Sequence, residues 1–128
     1  MMISKDQIDS LAYWVTNVNR DTTLASRVLV AKTPEARRVG LLNHESLPAG
    51  EGLLIVPANR IHTIGMHFPI DVAFMSKDFR VINMYSFLDK DRFASCNAAH
   101  SALELPAGML SRSGTQPDDY LSFTEMCG

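Results

Sequence analysis

The sequence predicts a mainly β protein, built as an antiparallel β-sandwich or barrel of about seven strands with one packed helix. The first observation is that short segments rich in β-branched and aromatic residues recur along the chain, with turn residues between them. The second is that only the segment beginning at Thr33 carries a clear helix start. Because helices do not alternate with the strands, a parallel sheet of the Rossmann type is not expected.

A hairpin is predicted near the start of the chain. Residues 11–18 and 22–32 have the composition of strands, and Asn19-Arg20-Asp21 supplies the turn between them. Residues 1–10 are expected to form an extended tail or a single helical turn.

The predicted helix follows this hairpin. Thr33 can cap it, and Pro34 occupies the first helical position, where its missing N–H costs nothing. A helix of about ten residues is expected, ending at residues 43–44. Arg37 falls near the edge of the apolar stripe, so it is either solvated or buried at the helix–sheet seam and paired with a carboxylate.

Apolar runs bounded by turn residues predict the remaining strands. In residues 70–75, large apolar side chains alternate with Asp71, Ala73 and Met75, which predicts one strongly apolar face. Residues 89–97 are polar and are expected to be irregular, and residues 109–113 to form one helical turn. The other predicted strands are residues 52–56, 60–64, 80–88, 101–105 and 119–123.

Length and charge limit the function classes. At 128 residues the chain is expected to form a single domain, residues 1–128, with a proper hydrophobic core. A net charge of −2 without a cluster of basic residues argues against a nucleic-acid partner. The longest apolar runs are strand-sized, so no membrane span is expected.

The two cysteines, Cys96 and Cys127, form neither a disulfide framework nor a CxxC pair. Both are expected to be free thiols in a reducing cytoplasm. The first ten residues include Lys5, Asp6 and Asp9 and do not resemble an export signal, which favours the same cytoplasmic location.

Residues 60–69 are the candidate functional surface. A glycine and a proline force the backbone to turn here, so nearby side chains are expected to satisfy its polar groups. Ile64 and Phe68 are expected to anchor the turn in the core, which leaves the remaining side chains beside a concavity. The candidate ligand-binding residues are Arg60, His62, Thr63, Met66 and His67.

No complete catalytic or metal-binding set is visible in the sequence. A metal site needs three or four converging ligands, and the turn between His62 and His67 fixes no common face for them. The chain contains no G-x-S-x-G, no H-E-x-x-H and no P-loop. The sequence therefore assigns no catalytic residue, no metal and no cofactor.

Two carboxylates, Asp71 and Glu104, each lie between apolar neighbours in a predicted strand. One interpretation is that they line a cleft and serve acid–base chemistry. The favoured interpretation is structural, because an unpaired buried carboxylate is expensive. They would then form an ion pair with Arg37 or Arg60, or hydrogen-bond to backbone N–H groups where a strand meets a loop. The predicted structural ion pair comprises Arg37, Asp71 and Glu104.

Five blocks of sequence resemble a known family. They are VAKT at residues 30–33, RRVGLL at 37–42, GEGLL at 50–54, IHTIGMHFPIDVAF at 61–74 and LELPAG at 103–108. Taken in this order, they are similar to the bacterial and archaeal family called domain of unknown function 192. The resemblance covers about residues 28–123 and leaves out an N-terminal hairpin strand at about residues 11–27. It implies a compact, mainly β domain with one packed helix, and it implies no catalytic residues because the family's activity is unassigned.

Three function classes remain. The leading one is a non-catalytic binding module that accepts a small molecule or an extended peptide at residues 60–69. The first alternative is an enzyme of unknown reaction that uses His62, His67 and Asp71. The second is an accessory or assembly protein that acts through a sheet edge or a homodimer face.

Overall fold

The fold is a strongly curled β-sheet that forms a half-barrel, accompanied by two short helices. The computed structural model describes the backbone of residues 9–126 and the side chains of residues 11–126. The predicted N-terminal tail up to residue 8, and Cys127, lie outside the described residues. The predicted mainly β class is confirmed.

Nine strands and two helices are present in the described part of the chain. The strands are β1 (Asp9–Asn17), β2 (Thr22–Ala31), β3 (Glu51–Ile55), β4 (Arg60–His62), β5 (Ile70–Met75), β6 (Val81–Leu88), β7 (Phe93–Ser95), β8 (Ser101–Pro106) and β9 (Leu121–Glu125). The helices are α1 (Pro34–Val39) and α2 (Met109–Arg112).

Seven strands form the main sheet in the order β6-β5-β8-β3-β2-β1-β9, and β4 pairs with β7 in a separate two-stranded ribbon. All neighbours are antiparallel except β2 and β3, which run parallel. This parallel pair departs from the purely antiparallel prediction. It arises because α1 lies in the connection between the two strands, and a parallel pair requires such a crossover.

The two edges of the main sheet meet at one point. Arg80, just before β6, forms a bridge with Tyr120, just before β9. The backbone N–H of Val81 donates to the carbonyl of Asp119 at 2.8 Å, and the N–H of Leu121 donates to the carbonyl of Phe79 at 2.9 Å. These bonds hold the curled sheet in its half-barrel shape.

The central strands are buried on both faces, between an inner core and an outer core. All six residues of β5 are buried, so the prediction of one apolar face understates its burial. Its second face is covered by α1, the ribbon and the loops beside them. The inner core includes Val15, Leu24, Val28, Leu54, Met75, Leu103, Leu105, Leu110 and Leu121. The outer core includes Ala36, Leu41, Leu53, Ile55, Ile61, Met66, Ile70, Val72, Phe74 and Ala94.

Helix α1 is shorter than predicted. Thr33 caps it as expected, accepting a hydrogen bond from the N–H of Ala36 at 3.0 Å. Gly40 then ends it, because its φ of 48° and ψ of −122° are outside the helical region and suit glycine. Residues 41–44 continue as hydrogen-bonded turns, which carry apolar side chains onto the sheet.

The segment expected to be irregular contains β7. This strand has only three residues and lies in a polar stretch, so its pairing with β4 is what defines it. Within residues 9–126, no helix combines the length and the apolar character needed to cross a bilayer.

Candidate functional site

A cavity of about 390 Å³ opens between α1 and strand β4. One wall is α1 with the turns that follow it, and another is β4 with Met66. Ile55 and residues 57–59 border it, and Glu104 lines it from the sheet. Because three arginines also line this cavity, it is called the arginine pocket below.

Glu104 is a buried carboxyl group in the middle of the main sheet. It pairs with Leu53 of β3 on one side and Val72 of β5 on the other. Strand alternation directs its side chain to the outer-core face, since neighbours Leu103 and Leu105 belong to the inner core. The residue is 3% exposed. Its carboxyl group has no hydrogen bond or ion pair with any residue of the described chain.

Burial governs the charge state of Glu104. Loss of solvation raises the pKa of its carboxyl to about 8. At neutral pH the group is therefore mostly protonated, so it presents an O–H donor as well as acceptor oxygens to the arginine pocket. A neutral acid in this position can hydrogen-bond a ligand without repelling a negative charge.

The arginines of the pocket are Arg37, Arg38 and Arg60. Arg37 is partly buried and its Nη1 donates to the carbonyl of Lys32 at 3.3 Å. Arg38 pairs with Glu35 one turn earlier in the helix, in an exposed contact. Arg60 is exposed, and its side chain has no hydrogen bond or ion pair within the described residues. The pocket therefore carries positive charge and no carboxylate ionised at neutral pH.

The expected ion pair among Arg37, Asp71 and Glu104 is not formed in this geometry. Asp71 is fully buried, and its Oδ1 and Oδ2 accept hydrogen bonds from the backbone N–H groups of Phe87 at 2.8 Å and Leu110 at 2.9 Å. It thus ties β5 to the end of β6 and to α2, as the backbone-capping interpretation described. Arg37 donates to a backbone carbonyl instead of a carboxylate.

Three of the five candidate ligand-binding residues line the pocket: Arg60, His62 and Met66. Thr63 does not, since it is fully buried beside the loop before β7. Its Oγ1 donates to the carbonyl of Asp89 and accepts from the N–H of Arg92 at 2.9 Å. His67 is exposed and is not part of the pocket lining.

The loop between β4 and β5 is anchored differently from the prediction. Met66 is 5% exposed and packs in the outer core, whereas Ile64, expected to be an anchor, is 45% exposed. Phe68 is partly buried against the same core, as expected. The Nδ1 of His62 accepts the N–H of Ile64 at 3.2 Å, so this histidine does satisfy the backbone of the turn.

The three residues considered for an enzyme, His62, His67 and Asp71, do not share one cavity. His62 lines the arginine pocket, His67 does not, and both oxygens of Asp71 are occupied by backbone donors. Residues 9–126 hold no group of three or more His, Cys, Asp or Glu side chains placed to bind a metal. Cys96 is half-buried and is not in a disulfide.

The sequence places Glu104 with Arg37 or Arg60 only as a structural ion pair, and it does not combine Glu104 and the α1 arginines with Arg60 in one binding site. A signal was present in the strand Leu103-Glu104-Leu105, where an acid interrupts an apolar run. The sequence did not reveal where α1 lies relative to β8, because the position of α1 depends on the crossover from β2 to β3.

The fold and this cavity together define a half-barrel protein with a cationic pocket on the outer face of the sheet. The chain belongs to the family called domain of unknown function 192, described as "Uncharacterized ACR", whose model matches residues 15–123. This confirms the family resemblance seen in the sequence.

Two solved structures share the fold. One is a proposed transcription regulator from Sinorhizobium meliloti 1021, with a TM-score of 0.74 and 18% identity over 88% of this chain and 92% of that chain. The other is a protein of unknown function from Novosphingobium aromaticivorans DSM 12444, with a TM-score of 0.74 and 18% identity over 95% of this chain and 99% of that chain. Comparison with curated proteins gives no match.

Proposed function

We propose that the protein is a non-catalytic binding module that holds a small anionic molecule in the arginine pocket. The observation that carries this proposal is that one cavity is lined both by Glu104, which is buried and has no partner among the described residues, and by three guanidinium groups. A cytoplasmic location, where small phosphorylated and carboxylated metabolites occur, forms part of the proposal.

Glu104 gives the cavity an unmet hydrogen-bonding group. A polar group taken out of water without a hydrogen-bond partner destabilises the fold, typically by about 1–3 kcal/mol. A ligand that hydrogen-bonds to the carboxyl offsets this penalty, and a cavity of about 390 Å³ is within the usual range for small-molecule sites.

The arginines give the cavity a local positive charge. The whole chain has a net charge of −2, yet this cavity is lined by Arg37, Arg38 and Arg60. Guanidinium groups bind phosphate and carboxylate oxygens through paired N–H donors. The neutral Glu104 can add a further donor at the buried end of the site, and the apolar wall formed by Leu41, Ile61 and Met66 can hold the rest of the ligand.

The proposal is tested by calorimetric titration at pH 6.5 with inorganic phosphate, ribose 5-phosphate and succinate as probes. At least one probe is expected to bind saturably and to raise the thermal unfolding midpoint. Arg37→Gln and Arg60→Gln should each weaken that binding about tenfold or more, because each removes a charge-assisted contact.

The matched control is Arg27→Gln, which changes an exposed arginine of β2 that does not line the pocket. It should bind as the wild type does. Affinity of the wild type should also decline as the pH rises past 8, where Glu104 ionises, whereas Glu104→Gln should not show this decline. If no probe binds, or if Arg27→Gln is as impaired as the pocket variants, the proposal fails.

A further inference from the structure

A second cavity, of about 410 Å³, lies against the same β4–β7 ribbon. It is lined by Arg60, Tyr85, Phe93, Ala94 and Ser95. Arg60 also lines the arginine pocket, so the two cavities share this residue. A ligand that occupies both cavities would pass Arg60 along the ribbon.

The register of the ribbon explains which side chains face these cavities. Ile61 pairs with Ala94, and both are buried in the outer core. Strand alternation directs the flanking pairs, Arg60 with Ser95 and His62 with Phe93, to the opposite face. All four of these residues are exposed, so the outer face of the ribbon is a continuous surface of one cation, one imidazole, one phenyl ring and one hydroxyl.

Phe93 is the distinctive feature of this surface. Its side chain is 65% exposed, the largest exposure among the large apolar residues of the described chain. The His62 ring lies against it, with ring centroids 6.0 Å apart and planes inclined by 58°. Tyr85, on the neighbouring strand β6, has its hydroxyl fixed by donation to the carbonyl of Ser95 at 2.9 Å. Phe93 therefore presents exposed ring surface beside His62, close to a tyrosine whose hydroxyl is anchored on the same strand.

We infer that the ligand is a phosphate monoester bearing an aromatic ring, as in a nucleotide, with its ring stacked on Phe93 and its phosphate in the arginine pocket. This inference rests on the proposed function and names the class of molecule that the site takes. Arg60 lies at the junction and contacts the segment between ring and phosphate. Stacking on an aromatic side chain tolerates different bases, so the base edge is not specified by these contacts.

The test compares AMP with ribose 5-phosphate, which lacks the ring, by calorimetric titration of the full chain at pH 6.5. AMP is expected to bind about tenfold more tightly than ribose 5-phosphate to the wild type. Phe93→Ala should remove that difference while leaving the affinity for ribose 5-phosphate unchanged. Because Phe93 is an exposed residue, this variant is expected to fold normally.

Phe87→Ala is the matched control, since Phe87 is 62% exposed but lines neither cavity. It should keep the preference for AMP. Equal affinities of the wild type for AMP and ribose 5-phosphate, or a preference that survives Phe93→Ala, would overturn the inference while the anion-binding proposal stands. If neither compound nor inorganic phosphate binds but succinate does, this inference fails and the proposed function stands; if succinate does not bind either, both fail.

Discussion

At the scale of single residues, Asp71 and Glu104 have similar sequence surroundings but different roles. Both are acids within apolar strands, and both are buried. Asp71 faces two backbone N–H groups that need acceptors, so its carboxylate is fully used. Glu104 faces the arginine pocket, where burial without a partner raises its pKa to about 8. The sequence identified both residues, but only their surroundings separate the two roles.

The raised pKa of Glu104 makes stability depend on pH. In the unfolded chain this carboxyl ionises near its ordinary value of 4.5, whereas in the folded protein it stays protonated up to about 8. Its contribution to stability is therefore complete below pH 4.5 and is lost as the pH rises towards 8. In the middle of that range the free energy of unfolding should fall by about 1 kcal/mol per pH unit from this group.

Glu104→Gln removes this titration. Urea unfolding at pH 5, 6, 7 and 8 should show the variant gaining stability relative to the wild type as the pH rises. Glu45→Gln, which changes an exposed glutamate, should follow the wild type at every pH. Parallel stability curves for Glu104→Gln and the wild type would show that Glu104 ionises normally.

At the scale of elements, strand periodicity located most of the sheet. β5 spans the predicted residues 70–75, and its alternation was visible because its apolar side chains are large. β7 escaped prediction because three residues in a polar segment show no period, and its structure depends on β4. The end of α1 was missed because Gly40, inside an apolar stripe, was not recognised as a stop.

The candidate site was located by the same reasoning only in part. The turn after β4 drew attention to Arg60, His62 and Met66, which do line the cavity. The opposite wall is α1, more than twenty residues earlier in the chain. Local sequence patterns do not show that α1 packs close to β4.

Thr63 is the residue that secures the β4–β7 ribbon. Its backbone and hydroxyl both bond to Arg92, and the hydroxyl also reaches the carbonyl of Asp89. Thr63→Val keeps the shape but removes the hydroxyl partner of the Arg92 N–H and the Asp89 carbonyl, which are partly buried. The free energy of unfolding should therefore fall by about 1 kcal/mol. Amide hydrogen exchange at residues 89–95 should accelerate more than exchange in the main sheet.

The control for this substitution is Thr124→Val, an identical change at an exposed position of β9. It should alter neither stability nor exchange in the ribbon. Uniform acceleration across the main sheet in Thr63→Val would mean that the ribbon has no independent opening.

At the scale of the whole molecule, the half-barrel depends on the segment just before β9. Asp119 accepts hydrogen bonds from Arg20, from the Asn17 side chain and from the N–H of Gln116. Its own carbonyl accepts the N–H of Val81 across the seam. One residue therefore connects the end of β1, the β9 edge and the β6 edge.

This network predicts acid sensitivity. The hydrogen bond from Arg20, followed by those from Asn17 and the Gln116 backbone, lowers the pKa of Asp119. The resulting stability is present above the ordinary aspartate pKa of 3.8 and is lost as the pH falls through the lowered value. Thermal unfolding midpoints measured from pH 5 down to pH 2 should therefore fall more steeply for the wild type than for Asp119→Asn.

Asp118→Asn provides the comparison, because Asp118 lies beside Asp119 and bonds to Arg80 but is mainly exposed. Exposed ion pairs contribute little, so its acid slope should match that of the wild type. An unchanged slope in Asp119→Asn would mean that other carboxylates cause the acid sensitivity.

The separate hydrogen bonding of the ribbon has a consequence for divergence among homologues. Ile61 and Ala94 face the core and are constrained by packing, whereas Arg60, His62, Phe93 and Ser95 project away from it. Replacing the second set changes no pairing in the seven-stranded sheet. A duplicated copy of this chain could therefore change the chemistry of this outer surface through four positions, at little cost to folding.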